Sequence, residues 1–130
     1  MFLTFTEEAK QRLSHYLNDS KKMLLDYDDG VGPFSALGNC SLDDNFKLIF
    51  VNRNQSFKDF NASFDSNLGK IYYKGYTKPQ FADQMTVSFN SHVFTMPLKS
   101  PQGVLTDDIE VLDVSNADLQ QTKMTHAHDC

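Results

Sequence analysis

The stretch FLTFTEEAKQRLSHYL, residues 2–17, shows how the fold begins. Residues 1–5 alternate in the manner of a short strand. Thr6 is followed by two glutamates, which is the pattern of a helix N-cap with acidic residues in the first turn. Apolar side chains then recur at helical spacing, at Ala9, Leu13, Tyr16 and Leu17. We therefore expect a short strand and then an amphipathic helix over residues 7–18.

Most of the remaining chain has the pattern of β-strands. The predicted strands are residues 23–27, 46–52, 69–76, 85–90, 93–98 and 104–114, the last being one strand or a bent pair. Residues 52–67 are polar with isolated phenylalanines, which predicts an irregular excursion. Ser91-His92 and the segment 100–103 have the composition of tight turns. One helix followed by strands without alternating helices excludes a doubly wound parallel sheet, so we expect an α+β fold with mainly antiparallel strands.

Composition indicates one small domain. The chain has 130 residues, of which 40% are hydrophobic, and this suits a single core. We expect the domain to span residues 1–114 and to be followed by a polar, flexible tail over residues 115–130. A net charge of −5 argues against nucleic acid as a partner, because phosphate-backbone binders carry a basic stripe.

The chain shows no secretory or membrane-spanning pattern. No basic region precedes a long apolar run at the N-terminus, and no stretch approaches the roughly 18 consecutive apolar residues of a membrane helix. Cys40 and Cys130 are the two cysteines, too few for a disulfide framework. We expect a cytoplasmic protein that does not contact the membrane.

Residues 26–40, DYDDGVGPFSALGNC, concentrate acidic residues, glycines and a cysteine. Asp26, Asp28 and Asp29 do not match a calcium loop, because its fifth and sixth positions would be Gly30 and Val31. We interpret these aspartates as the start of a solvated turn that holds no calcium. The glycines do not open onto a helix with a nearby lysine, so a phosphate-binding loop is not indicated either.

Two places carry candidate metal ligands. Cys40 is the internal thiol, and it is either a small buried apolar residue or a thiolate ligand. The terminal HAHDC provides His126, His128 and Cys130 as further donors, on a tail with no predicted scaffold. Since no acid–base or nucleophile pair is visible in the sequence, we do not expect an enzyme.

Three segments together resemble a known family. FLTFTEEAKQRLSHYL, MLLDYDDGVGPFS and LTDDIEVLDV follow one another in the order found in the HesB-like iron–sulfur cluster biosynthesis domain, in a divergent branch from small proteins of Gram-positive bacteria. The resemblance covers residue 1 to about residue 114. It implies a small β-sandwich body that carries the N-terminal helix on one side. The standard family has a Cys-Ser-Gly in the glycine-rich loop and a C-terminal Cys-Gly-Cys, and this chain has neither.

The resemblance implies a role in iron–sulfur cluster biosynthesis or iron handling, with weak or lost cluster binding. Cys40 is then the surviving ligand, and His126, His128 and Cys130 are weaker candidates. A symmetric homodimer would place two Cys40 thiolates near its axis and hold iron or a cluster in a labile form. The implied partners are other iron–sulfur assembly proteins. The alternative is a non-catalytic module that binds another protein through residues 28–40 or a strand edge.

Overall fold

A computed structural model of the chain describes residues 1–28 and 45–115. The elements in chain order are β1 Phe2–Phe5, α1 Glu7–Leu13, β2 Lys21–Asp28, β3 Asn45–Asn52, β4 Ala62–Ser66, β5 Gly69–Tyr73, a 3₁₀ helix Gly75–Gln80, β6 Gln84–Val87, β7 Leu98–Ser100, β8 Gly103–Thr106 and β9 Glu110–Asp113.

These nine strands form one sheet in the order β8-β7-β6-β1-β4-β5-β2-β3-β9. Four neighbouring pairs are antiparallel, namely β2/β3, β4/β5, β6/β7 and β7/β8. The other four pairs are parallel, namely β1/β4, β1/β6, β2/β5 and β3/β9. The α+β class is therefore confirmed. The predicted mainly antiparallel sandwich is corrected to one mixed sheet.

The mixed topology has a simple origin. Antiparallel pairs join strands that follow each other along the chain, and a local hairpin pattern reveals them. Parallel pairs join strands that are far apart in sequence, as when Phe2 pairs with both Asp65 and Gln84. The first strand thus lies in the middle of the sheet. The Asn67 side chain completes its ladder, because Oδ1 accepts from the Phe5 N–H at 2.8 Å and Nδ2 donates to the Phe5 carbonyl at 3.0 Å.

Helix α1 begins as predicted but ends early. The Thr6 hydroxyl accepts a hydrogen bond from the N–H of Ala9 at 3.3 Å and caps the first turn. The helix stops at Leu13 instead of residue 18, since the Ser14 N–H and hydroxyl both donate to the Gln11 carbonyl. Ala9 and Leu13 are buried, while Tyr16 and Leu17 pack against the same core from the following turn. The apolar stripe is therefore confirmed and the helical length is corrected.

The sheet has an apolar cluster on each face. The larger cluster contains α1 together with inward side chains such as Leu3, Leu25 and Leu48. The smaller cluster on the other face consists of Leu24, Ile49, Val51, Phe60 and Val114. Because β2 and β3 are covered on both faces, their sequences are nearly continuous apolar runs.

Several predicted strand boundaries change. Strand β4 lies in the segment predicted to be irregular, where its one buried residue, Phe64, leaves a weak alternating pattern. The predicted strand over residues 93–98 is reduced to an isolated bridge between Asn90 and Thr95, and β7 begins only at Leu98. The turn before Gly103 is confirmed. The predicted strand or bent pair over residues 104–114 is corrected to two separate strands, β8 and β9, which lie at opposite edges of the sheet.

The C-terminal boundary stays a prediction. Val114 and Ser115 are still buried, and residues 116–130, including the HAHDC segment, lie outside the described residues. Within residues 1–28 and 45–115, no helix has both the length and the apolar character needed to cross a membrane.

Candidate functional site

Strands β2 and β3 form a hairpin whose two ends have different environments. Their register runs without a break from Lys21 paired with Asn52 to Asp28 paired with Asn45. Residues 29–44 therefore connect two strand ends that are fixed side by side. We call the part of the hairpin near Asp28 and Asn45 the loop end. Asp29 and Cys40 belong to the connecting segment, and they lie outside the described residues together with His126, His128 and Cys130.

A buried ion pair lies at the loop end. Lys74 Nζ is 2.9 Å from Asp26 Oδ1, and the two side chains are 0% and 1% exposed. Isolated charges are costly to bury, so their pairing is required for the fold to hold them here. The prediction that Asp26 starts a solvated turn is wrong, because β2 continues through Asp26 to Asp28 and keeps the carboxylate in the interior.

A second buried lysine lies beside this pair. Lys47 of β3 is directly opposite Asp26 of β2 and is fully buried. Lys74 immediately precedes the 3₁₀ helix, where the Thr77 hydroxyl donates to its carbonyl at 2.5 Å. Its ammonium also lies 5.8 Å from the ring centroid of Tyr76, which is 58% exposed. We call Asp26, Lys47 and Lys74 the buried charge cluster.

The backbone that positions Lys74 is held by a close contact. The N–H of Gly75 donates to Asn61 Oδ1 at 3.0 Å. A Cβ at residue 75 would lie 2.7 Å from the same oxygen, so a larger residue would displace the Asn61 side chain and disturb this hydrogen bond. The residue before β4 is thereby hydrogen-bonded to the first residue of the 3₁₀ helix, next to Lys74.

Aromatic rings support the opposite face of the loop end. Tyr27 and Phe46 lie across the strands from each other with ring centroids 5.2 Å apart. Phe81 contacts Phe46 and Tyr73, in each case edge-on with centroids 5.6 Å apart. Edge-to-face contacts of this kind add stability beyond apolar burial. Ionic packing on one face and aromatic packing on the other hold the strands from which residues 29–44 extend.

The described side chains of the loop end do not form a metal site. Asp26 directs a carboxylate oxygen to an ammonium, which occupies the position where a bound cation would be held. Among residues 1–28 and 45–115, no group of three or more His, Cys, Asp or Glu side chains could hold a metal ion. Cys40 lies outside the described residues and stays a prediction.

Sequence reasoning missed both lysines of the buried charge cluster. The available signal was Lys47, which stands inside the apolar run FKLIFVN of a strand that is covered on both faces. A lysine in such a run needs a buried anionic or polar partner. Lys74 has no comparable signal, since only the turn into the 3₁₀ helix brings it to Asp26.

Comparison with protein families identifies the chain. The family model described as iron-sulphur cluster biosynthesis matches residues 1–113, which covers all the strands above. The chain belongs to this family. The resemblance to the HesB-like domain is thereby confirmed, and this member of the family has the mixed sheet and the loop end described above.

Solved structures show the same architecture. A protein from Lactobacillus salivarius, provisionally assigned to Fe-S biosynthesis and described as having a novel fold, is 35% identical, with a TM-score of 0.81 over 89% of this chain and 100% of its own. A protein from Lactobacillus acidophilus with the same provisional assignment is 21% identical, with a TM-score of 0.73 over 96% of this chain and 98% of its own, and it shows likeness of fold. No curated protein shows significant similarity to the chain.

Proposed function

We propose that this protein is a non-enzymatic accessory protein of iron–sulfur cluster biosynthesis. It takes up iron or a labile iron–sulfur cluster as cargo at the segment joining β2 and β3, with the Cys40 thiolate as ligand. It acts in the cytoplasm, where thiols stay reduced, and it works with other iron–sulfur assembly proteins. Residues 1–114 form the working domain.

One observation carries the general role, namely the family match over residues 1–113. The relative from Lactobacillus salivarius supports it, because it is 35% identical and this chain covers all of its length. The hairpin geometry supports the proposed location of the cargo site. Residues 29–44 join Asp28 to Asn45, and these two residues are paired at the loop end. Packing on both faces of that end keeps the strands in place while cargo enters and leaves.

The chemistry follows from the ligand type and number. Thiolate is a soft donor that suits iron in a cluster, and clusters are commonly held by four thiolates. Cys40 supplies one thiolate per chain, and a symmetric homodimer supplies two. Cargo held by so few thiolates exchanges readily, which suits an accessory protein that passes iron on. His126, His128 and Cys130 are weaker additional donors in this proposal.

Anaerobic reconstitution tests the proposal. Purified protein is incubated with ferrous iron and sulfide, and the visible spectrum and iron content are recorded before and after desalting. We expect absorbance that develops on reconstitution and is lost on desalting. Cys40→Ser should abolish this uptake, while Cys130→Ser, the matched control, should retain it. Circular dichroism should show that both variants keep the fold.

The outcomes separate the proposal from its alternatives. Stable colour that survives Cys40→Ser would move the site to the tail donors His126, His128 and Cys130. Lack of iron uptake by any form would favour the second candidate, a non-catalytic protein-binding module on the same fold. Catalytic conversion of iron or sulfide by the protein, with neither retained as cargo, would contradict the non-enzymatic role.

A further inference from the structure

A basic cleft lies at the other end of the β2–β3 hairpin, which we call the open end. It measures about 210 Å³ and is lined by the basic side chains Lys21, Lys22, Arg53 and Lys70. Apolar side chains, including Met23 and Phe50, also line it. Asp19 is the acidic residue among the described lining residues. The chain as a whole has a net charge of −5, so the cleft concentrates charge of the opposite sign.

Three of these cations remain available for an anionic ligand. Arg53 donates from Nε and Nη2 to the backbone carbonyls of Asp19 and Lys21, and these contacts do not neutralise its charge. Lys22 Nζ lies 5.1 Å from the Tyr72 ring centroid. Within residues 1–28 and 45–115, no carboxylate forms an ion pair with Lys22, Arg53 or Lys70, whereas Lys21 pairs with Asp113 at 2.7 Å.

Two of the cations lie on adjacent strands. Met23 and Leu24 of β2 pair in parallel with Ile71 and Tyr72 of β5, and Lys22 and Lys70 each precede these pairs by one position. On its other side, Lys70 is directly opposite Asp65 of β4. Like charges on adjacent strands destabilise a sheet. Asp65 offsets part of this repulsion, and an anion bound between Lys22 and Lys70 would relieve the rest, so binding has a favourable electrostatic contribution in addition to its direct contacts.

A second hollow lies beside the basic cleft, on the smaller apolar face. It also measures about 210 Å³ and shares Lys22 and Tyr72 with the first. Its other lining is mainly apolar and includes Leu24, Phe57 and Phe60. We call the two hollows together the basic–apolar groove. The Lys22–Tyr72 contact marks the change from cationic to apolar lining.

We propose that the basic–apolar groove binds an acidic segment of a partner protein, in which carboxylates are followed by apolar side chains. The carboxylates occupy the cleft between Lys22, Arg53 and Lys70, and an apolar side chain occupies the second hollow against Tyr72. A free small anion would fill only the first hollow, whereas a peptide uses both. This inference concerns a surface away from the loop end and holds whether or not the chain carries iron.

Peptide binding tests the inference. The probe is a fluorescein-labelled hexapeptide, Glu-Asp-Glu-Glu-Leu-Phe, and fluorescence anisotropy is measured with the full chain. We expect saturable binding that weakens about tenfold or more when ionic strength rises from about 0.05 to about 0.5 M, since exposed charges are screened. Lys22→Glu/Lys70→Glu should weaken binding by about tenfold or more, because two attractive contacts become repulsive.

Matched controls make the test specific. Lys78→Glu/Lys99→Glu changes the net charge equally at two exposed lysines outside the groove and should alter binding less than about twofold. Replacing Leu-Phe of the probe by Ser-Ser should weaken binding about threefold or more through lost apolar burial. Thermal unfolding is compared for all variants to confirm that they are folded.

Four outcomes would overturn the inference. They are absence of saturable binding, equal weakening by the two double variants, unchanged binding of the Ser-Ser probe, and displacement of the hexapeptide by an equal concentration of inorganic phosphate. The last result would indicate a small-anion site instead of a peptide groove.

Discussion

The loop end and the open end of the β2–β3 hairpin place basic side chains in opposite environments. At the loop end, Lys74 is fully buried and pairs with Asp26. At the open end, Arg53 and Lys70 are exposed and form no ion pair with a described carboxylate. Desolvation explains the difference, because a buried charge must be paired for the fold to form, whereas a solvated charge does not need a partner. Basic side chains near one end of the hairpin are thus buried as part of the structure, whereas those near the other end are solvated.

The largest expected effect tests the buried end. Lys74→Met removes from the buried Asp26 carboxylate the ammonium that lies 2.9 Å away, and we expect the free energy of unfolding to fall by about 3–5 kcal/mol. Urea denaturation monitored by circular dichroism measures this change. Asp26→Leu/Lys74→Met should recover only part of the loss, because both charges of the pair are removed while Lys47 stays buried opposite residue 26.

The matched control for this change is Lys70→Met at the open end, which should alter stability by less than about 0.5 kcal/mol. An equal fall in the free energy of unfolding for Lys74→Met and Lys70→Met would contradict the contrast between the two ends.

The next effect measures the apolar core that both ends share. Leu13 of α1 is fully buried, so Leu13→Ala should lower the free energy of unfolding by about 2–5 kcal/mol through lost burial and a residual cavity. The exposed Gln11→Ala on the same helix is the control and should change stability by less than about 0.5 kcal/mol. If Leu13→Ala behaved like the control, the packing of α1 on the sheet would be refuted.

The smallest effect concerns the ion pair beside the basic cleft. Partial burial acts to raise the pKa of Asp113, but the hydrogen bonds from Lys21 and Ser115 and the charge of Lys21 outweigh it and lower the pKa below its ordinary value of 3.8. Because the folded pKa is the lower one, this stabilisation is present above pH 3.8 and is lost as the pH falls through the folded pKa. It should amount to less than about 1 kcal/mol, since the pair is partly exposed.

Comparison of the wild type with Asp113→Asn measures this contribution. Unfolding free energies are determined from about pH 7 down to about pH 2, and the advantage of the wild type should shrink across the acidic part of that range. A difference that stayed constant or grew toward acid would show that the Lys21–Asp113 pair does not contribute as described.

Features that depend on neighbouring residues could be predicted from the sequence. Thr6 and the two glutamates after it predicted the start of α1, and the apolar spacing through Leu13 predicted which side of it is buried. The buried strand β2 and the turn before Gly103 were also evident, because strand and turn propensities act over a few residues. The family was recognisable for a related reason, since its segments follow one another in a set order along the chain.

Features that depend on distant residues required the tertiary structure. No local pattern indicates that β1 lies between β4 and β6, or that β3 pairs in parallel with β9. The candidate site shows the same limit. The sequence indicated the segment with Cys40, but the pairing of Asp26 with Lys74 and the grouping of Lys22, Arg53 and Lys70 arise only when separate strands meet. Whether a lysine is buried and paired or exposed depends on desolvation by the whole fold, and that is a property of the packed sheet.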